Sequence, residues 1–142
     1  MENRYLCRGK RIDNGEWVEG YYFPRPNDPG GDKYYIVTVR QCKWIEINPS
    51  TICKCTGLRD KNRKLIWEKD IVDGHIKRGA AFQNCVVLWN ECKARFDVRA
   101  MDCNFPMTLD EVTDDISICG LDYEVTGNIF DNPELLEVRN DD

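Results

Sequence analysis

The chain reads as all-β and mainly antiparallel, because short runs rich in aromatic and β-branched residues recur along it while little of it reads as helix. Clusters of Gly, Pro, Asn and Asp punctuate those runs as turns. Short strands and tight turns predict a small curled sheet, an SH3-like barrel or a sandwich. An N-terminal β extension and one or two short helical turns complete the expected fold.

Glu16 to Tyr22 and Tyr34 to Val39 are the first strand-like pieces. Pro24-Arg25-Pro26-Asn27-Asp28-Pro29-Gly30-Gly31-Asp32 lies between them, and its prolines and glycines predict a long mobile loop. Asn48-Pro49 reads as a cap followed by proline in the first position of a helical turn. Ile52 to Leu58 and Leu65 to Val72 are apolar stretches joined by the wholly polar Arg59-Asp60-Lys61-Asn62-Arg63-Lys64. That arrangement predicts a hairpin with an exposed tip.

Asn84 to Trp89 and Ala94 to Arg99 predict two more strands around the polar turn 90–93. Thr108-Leu109-Asp110-Glu111 matches a capping box and predicts a short helix. Tyr123 to Phe130 reads as the final strand, and Asn132-Pro133-Glu134-Leu135-Leu136 as a closing helical turn. Residues 1–50 are thus an N-terminal β extension packed on a β core of residues 51–136, with a polar tail at 137–142. Leu65, Trp67, Ile71, Val86, Leu88, Phe96, Val98, Val125 and Ile129 are the expected core, centred on Phe96. The aromatics of the extension, Trp17, Tyr21, Tyr35 and Trp44, are expected to be covered by the later sheet.

Composition bounds the rest. A chain of 142 residues fits one domain and is long enough to bury roughly 68–70% of its unfolded surface. With 42% hydrophobic and 11% aromatic residues it is too apolar for a disordered chain. The net charge of −5 is unevenly spread, since residues 1–52 carry 8 basic and 7 acidic side chains and residues 53–142 carry 12 and 18. That excess disfavours nonspecific duplex binding, although a local basic patch keeps nucleic acid open as a partner. Eight cysteines invite a disulfide framework. The polar start Met1-Glu2-Asn3-Arg4-Tyr5 and the short aliphatic run Cys85-Val86-Val87-Leu88-Trp89 argue against export and membrane insertion. Thiols that remain free in a reducing cytoplasm are the expectation.

Three motifs in order resemble the YopX-like family of phage and prophage proteins. They are the opening Arg8-Gly9-Lys10-Arg11-Ile12-Asp13-Asn14-Gly15-Glu16-Trp17-Val18-Glu19-Gly20, the central stretch from Cys55-Thr56-Gly57-Leu58 through the turn at Asp60-Lys61-Asn62 to Asp70-Ile71-Val72, and the ending Tyr123-Glu124-Val125-Thr126-Gly127-Asn128-Ile129-Phe130-Asp131-Asn132-Pro133-Glu134-Leu135-Leu136. The resemblance implies a mainly β protein of bacteriophage or prophage origin in a bacterial host, and no catalytic residue to carry over. This chain departs from the family pattern at three positions. Cys55 stands where an aromatic is usual, and Arg63 and Lys69 stand where glycines are. Arg63 makes a tight type I′ turn less favourable and a longer loop more so.

Cys53 and Cys55 share one strand face, and with Cys42, Cys92, Cys103 or His75 could form a zinc site. No C-x-x-C pair exists, and scattered thiols behave as small apolar residues, so no metal or other cofactor is expected. His75 is the only histidine and is read as a surface residue of a loop. Asp60, Glu68 and Asp70 could hold magnesium for a hydrolase, with Glu68 and Asp70 on one strand face. The plainer reading is a charged, solvated strand edge. No Walker, dinucleotide or nucleophile-elbow motif is present, and no enzyme is expected.

Charge supplies the remaining candidates. Lys54, Arg59, Lys61, Arg63 and Lys64 concentrate about one hairpin, opposed only by Asp60. Asp102, Asp110, Glu111, Asp114, Asp115, Asp122 and Glu124 form an acidic run. The reading that follows is a non-enzymatic interaction module of the bacterial cytoplasm, with a protein partner or a second copy of itself. The alternative is a nucleic-acid-associated protein using residues 54–64, with Trp67 or Tyr35 as a stacking face. A metal-dependent hydrolase is the third.

Overall fold

The computed structural model describes residues 5–76, 81–99, 107–108 and 121–136. The described residues form eleven strands and two short 3-10 turns. The fold is all-β, as expected, and its two antiparallel sheets are not closed into a barrel. Two compact units divide the chain, residues 1–55 and 56–142.

The first unit contains β1 (Cys7–Lys10), β2 (Trp17–Arg25), β3 (Lys33–Val37), β4 (Trp44–Glu46) and the first half of β5 (Cys53–Arg59). Their order in the sheet is β4-β3-β2-β1-β5. β2 extends beyond the expected strand and includes Pro24, which lies opposite Tyr34. β1 pairs only with residues 17–20 of β2, so at Pro24 the strand has one neighbour and the missing N–H can face its unpaired side. The loop after it is therefore shorter than expected and internally bonded. Gly31 N donates to Asp28 O at 2.7 Å, and Asn27 N donates to Asp32 Oδ1 at 2.9 Å. Asn48 caps the turn Pro49–Thr51 as the sequence suggested, its Oδ1 accepting from Ser50 N at 3.1 Å. Ile36, Ile47, Cys53 and Cys55 are buried in this unit.

The second unit begins inside β5 and continues through β6 (Leu65–Trp67). It adds β7 (Asp70–Ile76), β8 (Ala81–Asn90), β9 (Arg95–Arg99), β10 (Met107–Thr108) and β11 (Leu121–Asn128), ordered β10-β9-β8-β7-β11. The apolar stretch 65–72 is two strands rather than one. It breaks at Lys69, whose φ of 68° is left-handed, whose N–H donates to Val87 O at 2.6 Å and whose carbonyl accepts from Ile129 N at 3.1 Å. Glu68 and Asp70 consequently do not share a strand face. His75 belongs to a strand, not a loop, because β7 is hydrogen-bonded on both sides, with Asp122 and Ala81 opposite His75. Thr108 lies in β10, and residues 109–111 of the expected helix fall outside the described residues, as does most of the acidic run.

The core of this unit is Ile66, Val72, Cys85, Val87, Val98 and Tyr123, with Leu58, Phe96 and Val125 packed against it. Trp67, Ile71, Val86 and Val98 are buried as anticipated, whereas Leu65, Leu88, Phe96, Val125 and Ile129 are half-buried. The centre therefore passes from Phe96 to Ile66, Val72 and Val87. Period-two reasoning fails here because β8 is internal. Its consecutive Cys85, Val86 and Val87 are all buried, so neither face of the strand is simply the wet one. Among the described residues the Tyr123 hydroxyl finds no hydrogen-bond partner, and burial pushes this phenol well above its ordinary pKa.

Candidate interaction surfaces

The hairpin of residues 59–64 is built around one carboxylate. Asp60 Oδ1 accepts from Asn62 N at 2.9 Å and Lys64 N at 2.8 Å, while Oδ2 accepts from Val125 N at 3.0 Å. Asp60 N donates to Lys64 O at 2.8 Å, and Asp60 O accepts from Arg63 N at 2.9 Å. This pattern is a three-residue loop, a tight turn closed by a left-handed residue. Arg63 is that residue, with φ of 65°. The longer loop expected from its substitution for glycine is thus present, and so is the backbone conformation that glycine would adopt more cheaply. Lys69 repeats the pattern at the next corner.

Two further parts of the family motifs acquire physical roles. Thr56 Oγ1 donates to Ile66 O at 2.7 Å and accepts from Leu58 N at 3.1 Å, while Gly57 supplies φ of 78° between them. Near the end, Asn128 Oδ1 accepts from Phe130 N at 3.0 Å and Asp131 N at 2.9 Å. Gly127 has to lack a side chain there, since a Cβ would collide with the Asn132 amide that accepts from Asn128 N.

The five basic residues singled out from sequence are all exposed, but they do not form one patch of unengaged charge. Lys54 lies on the first-unit half of β5, whereas Arg59, Lys61, Arg63 and Lys64 gather at the turn in the second unit. Arg59 Nη1 donates to Arg63 O at 2.8 Å, and Lys61 Nζ stands 3.4 Å from Glu124 Oε2. An ion pair that exposed adds about 0.2–1 kcal/mol and is screened by salt. Asp60 is not a counter-charge at the surface, because it is buried and consumed by backbone N–H groups.

The same reasoning removes most of the proposed magnesium set. Asp70 is buried and its Oδ2 accepts from Trp67 N at 2.8 Å, so both aspartates hold turns in shape. Among the described residues no group of three His, Cys, Asp or Glu side chains gathers as metal ligands would. Trp67 is buried and cannot offer a stacking face, whereas Tyr35 lies beside rings that can.

Those rings form the feature that sequence reasoning missed. In β2 the alternate residues Tyr21, Phe23 and Arg25 point to one side, and the register sets Val37, Tyr35 and Lys33 of β3 opposite them. Trp44 and Glu46 of β4 continue that side, opposite Val37 and Tyr35. Trp44 reaches across β3 to meet Phe23 edge-on at 4.9 Å between centroids, and meets Tyr35 at 5.6 Å. The Arg25 guanidinium lies 4.8 Å from the centroid of the Trp44 ring. Tyr21, Phe23 and Trp44 are 40%, 50% and 46% exposed, so the expectation that Tyr21 and Trp44 would be covered is overturned. Ile36, on the other side of β3, is fully buried instead. A cleft of about 240 Å³ borders Trp44, lined also by Arg11, Ile12, Asp13, Ile45 and Glu46. Its Arg11–Asp13 ion pair, 2.7 Å long, holds the Asp13 carboxyl below its usual range.

Fold and surface together define an all-β protein whose turns are fixed by buried carboxylate and amide side chains. Residues 10–137 match the family described as YopX protein, and the chain belongs to that family. The crystal structure of protein EF1440 from Enterococcus faecalis is similar, with 23% identity over 92% of this chain and 96% of that one and a TM-score of 0.49. Among curated proteins nothing matches. No helix among the described residues is long and apolar enough to cross a membrane.

Proposed function

We propose that this YopX-family chain is a non-enzymatic interaction module of phage or prophage origin, acting in the bacterial cytoplasm by docking a macromolecule on the aromatic face of its first unit. The observation that carries this reading is the exposure of Phe23 and Trp44 side by side with the Arg25 guanidinium over the indole. Large apolar rings in water are costly, and Trp, Tyr and Arg are the residues that dominate binding hot spots. Involvement of Asp60 and Asp70 in turn construction argues against the hydrolase reading. Phosphate binding through the 59–64 hairpin is the weaker alternative, since Arg59 and Lys61 have intramolecular partners and Trp67 is buried.

The test is affinity capture from phage-carrying bacteria with wild-type protein and the Trp44→Ala variant, recovering both protein and nucleic acid. A partner retained by the wild type and lost by the variant is expected. Identical profiles for the two would remove the aromatic face from the function.

A further inference from the structure

We propose, resting on that docking reading, that the aromatic face binds single-stranded nucleic acid, bases stacking on Trp44 and Phe23 while phosphates meet Arg25 and Lys33. The geometry departs from a merely apolar patch in one respect: cations are interleaved with the rings. Arg25 lies over Trp44, and Lys33 stands opposite Arg25 in the register. At the far end of β2, Arg8 and Lys10 lie 4.5 Å and 5.3 Å from the centroid of Trp17.

Trp17 and Arg25 share one side of β2 by strand alternation, which at ~3.4 Å per residue separates them by about 27 Å. The two ring-and-cation clusters are thus several nucleotides apart along one side of the strand, Trp17, Arg8 and Lys10 half-buried and Trp44 and Arg25 exposed. By register, the strand residues on that side include the cations Arg8, Lys10, Arg25 and Lys33 and the carboxylates Glu19 and Glu46, and Asp13 borders Trp44 in the cleft. Those strand residues carry more cations than carboxylates, although the chain as a whole carries −5. Alternating rings and cations suit a polymer that alternates bases and phosphates, and stacking requires bases released from a duplex. The overall negative charge further disfavours the duplex.

Fluorescence anisotropy with the full-length protein tests this, using labelled oligo(dT), labelled oligo(rU) and a mixed-sequence duplex of the same length across a salt series. Single strands should bind more tightly than duplex. Trp44→Ala should weaken binding about tenfold, the loss of one stacked base. Arg25→Ala should lower the slope of log affinity against log salt by about 0.7, one phosphate contact on a single strand. Phe23→Ser serves if Trp44→Ala fails to fold by circular dichroism. Simultaneous replacement of Arg59, Lys61, Arg63 and Lys64 by Ala should leave binding unchanged.

No single-strand binding, equal affinity of wild type and face variants, or loss of binding only in the hairpin variant would overturn the proposal. If oligonucleotides do not bind but protein capture still depends on Trp44, the docking face stands and its occupant is a protein.

Discussion

Phe23 and Val87 occupy strands of nine and ten residues, yet Phe23 is 50% exposed and Val87 fully buried. The difference lies in strand position and in the fate of each sheet face. Val87 stands on β8, flanked by β7 and β9, in a cluster that also takes in Ile66, Val72 and Tyr123. Phe23 stands where β2 has passed the end of β1 and retains β3 as its sole ladder partner among the described residues. One unit spends its apolar residues on a core; the other leaves several in water. Phe23 shares its exposure with Tyr21 and Trp44, so the open rings form a contiguous face rather than scattered single residues.

The contrast can be broken most directly in the second unit. Ile66→Ala should destabilise by about 2–5 kcal/mol in urea unfolding, because a fully buried side chain leaves a cavity among Val72, Val87 and Tyr123. A loss below that range would mean the cluster is loosely packed. Asp60→Ala should cost about 1.5–3 kcal/mol, with Asn62, Lys64 and Val125 amides losing a charged acceptor. Hydrogen exchange should then quicken at Val125 as well as in the turn, 65 residues away in sequence.

Arg63→Gly and Lys69→Gly should each raise stability by roughly 0.5–1 kcal/mol, since glycine accepts the left-handed backbone without the side-chain penalty. Destabilisation on either substitution would show that the side chain contributes more than the turn costs. Phe23→Ser should change stability by no more than about 1 kcal/mol, confined to the lost ring contact with Trp44. A cost as large as that of Ile66→Ala would erase the distinction between core and docking face.

Much of the second unit was legible because its turns announce themselves chemically. Asp60 and Asn62 in a polar hexapeptide and Asn132-Pro133 at the end each have a local side-chain-to-backbone reason to turn. β1 and β4 escaped notice because Cys7-Arg8-Gly9-Lys10 and Trp44-Ile45-Glu46 are too short to display alternation. The aromatic face was illegible for a related reason. Tyr21, Tyr22, Tyr34 and Tyr35 put rings on both sides of their strands, and only the register reveals which side stays open. Trp67 is buried, as its place in the expected core required, and that burial removes it as the stacking face of the nucleic-acid alternative.

The Asp60 carboxylate carries a consequence for how the chain assembles during synthesis. Two of its acceptor bonds close within four residues, but the third waits for Val125. Lys61 N likewise waits for Tyr123 O, at 2.8 Å in the finished fold. On the ribosome the hairpin emerges long before β11, and until then half of a carboxylate that will be buried faces water. The hairpin can form early, yet its docking is among the last events, a long-range closure that slows folding. Nascent chains stalled before residue 121 should therefore hold a formed but undocked turn, and release of β11 should be the step that locks it.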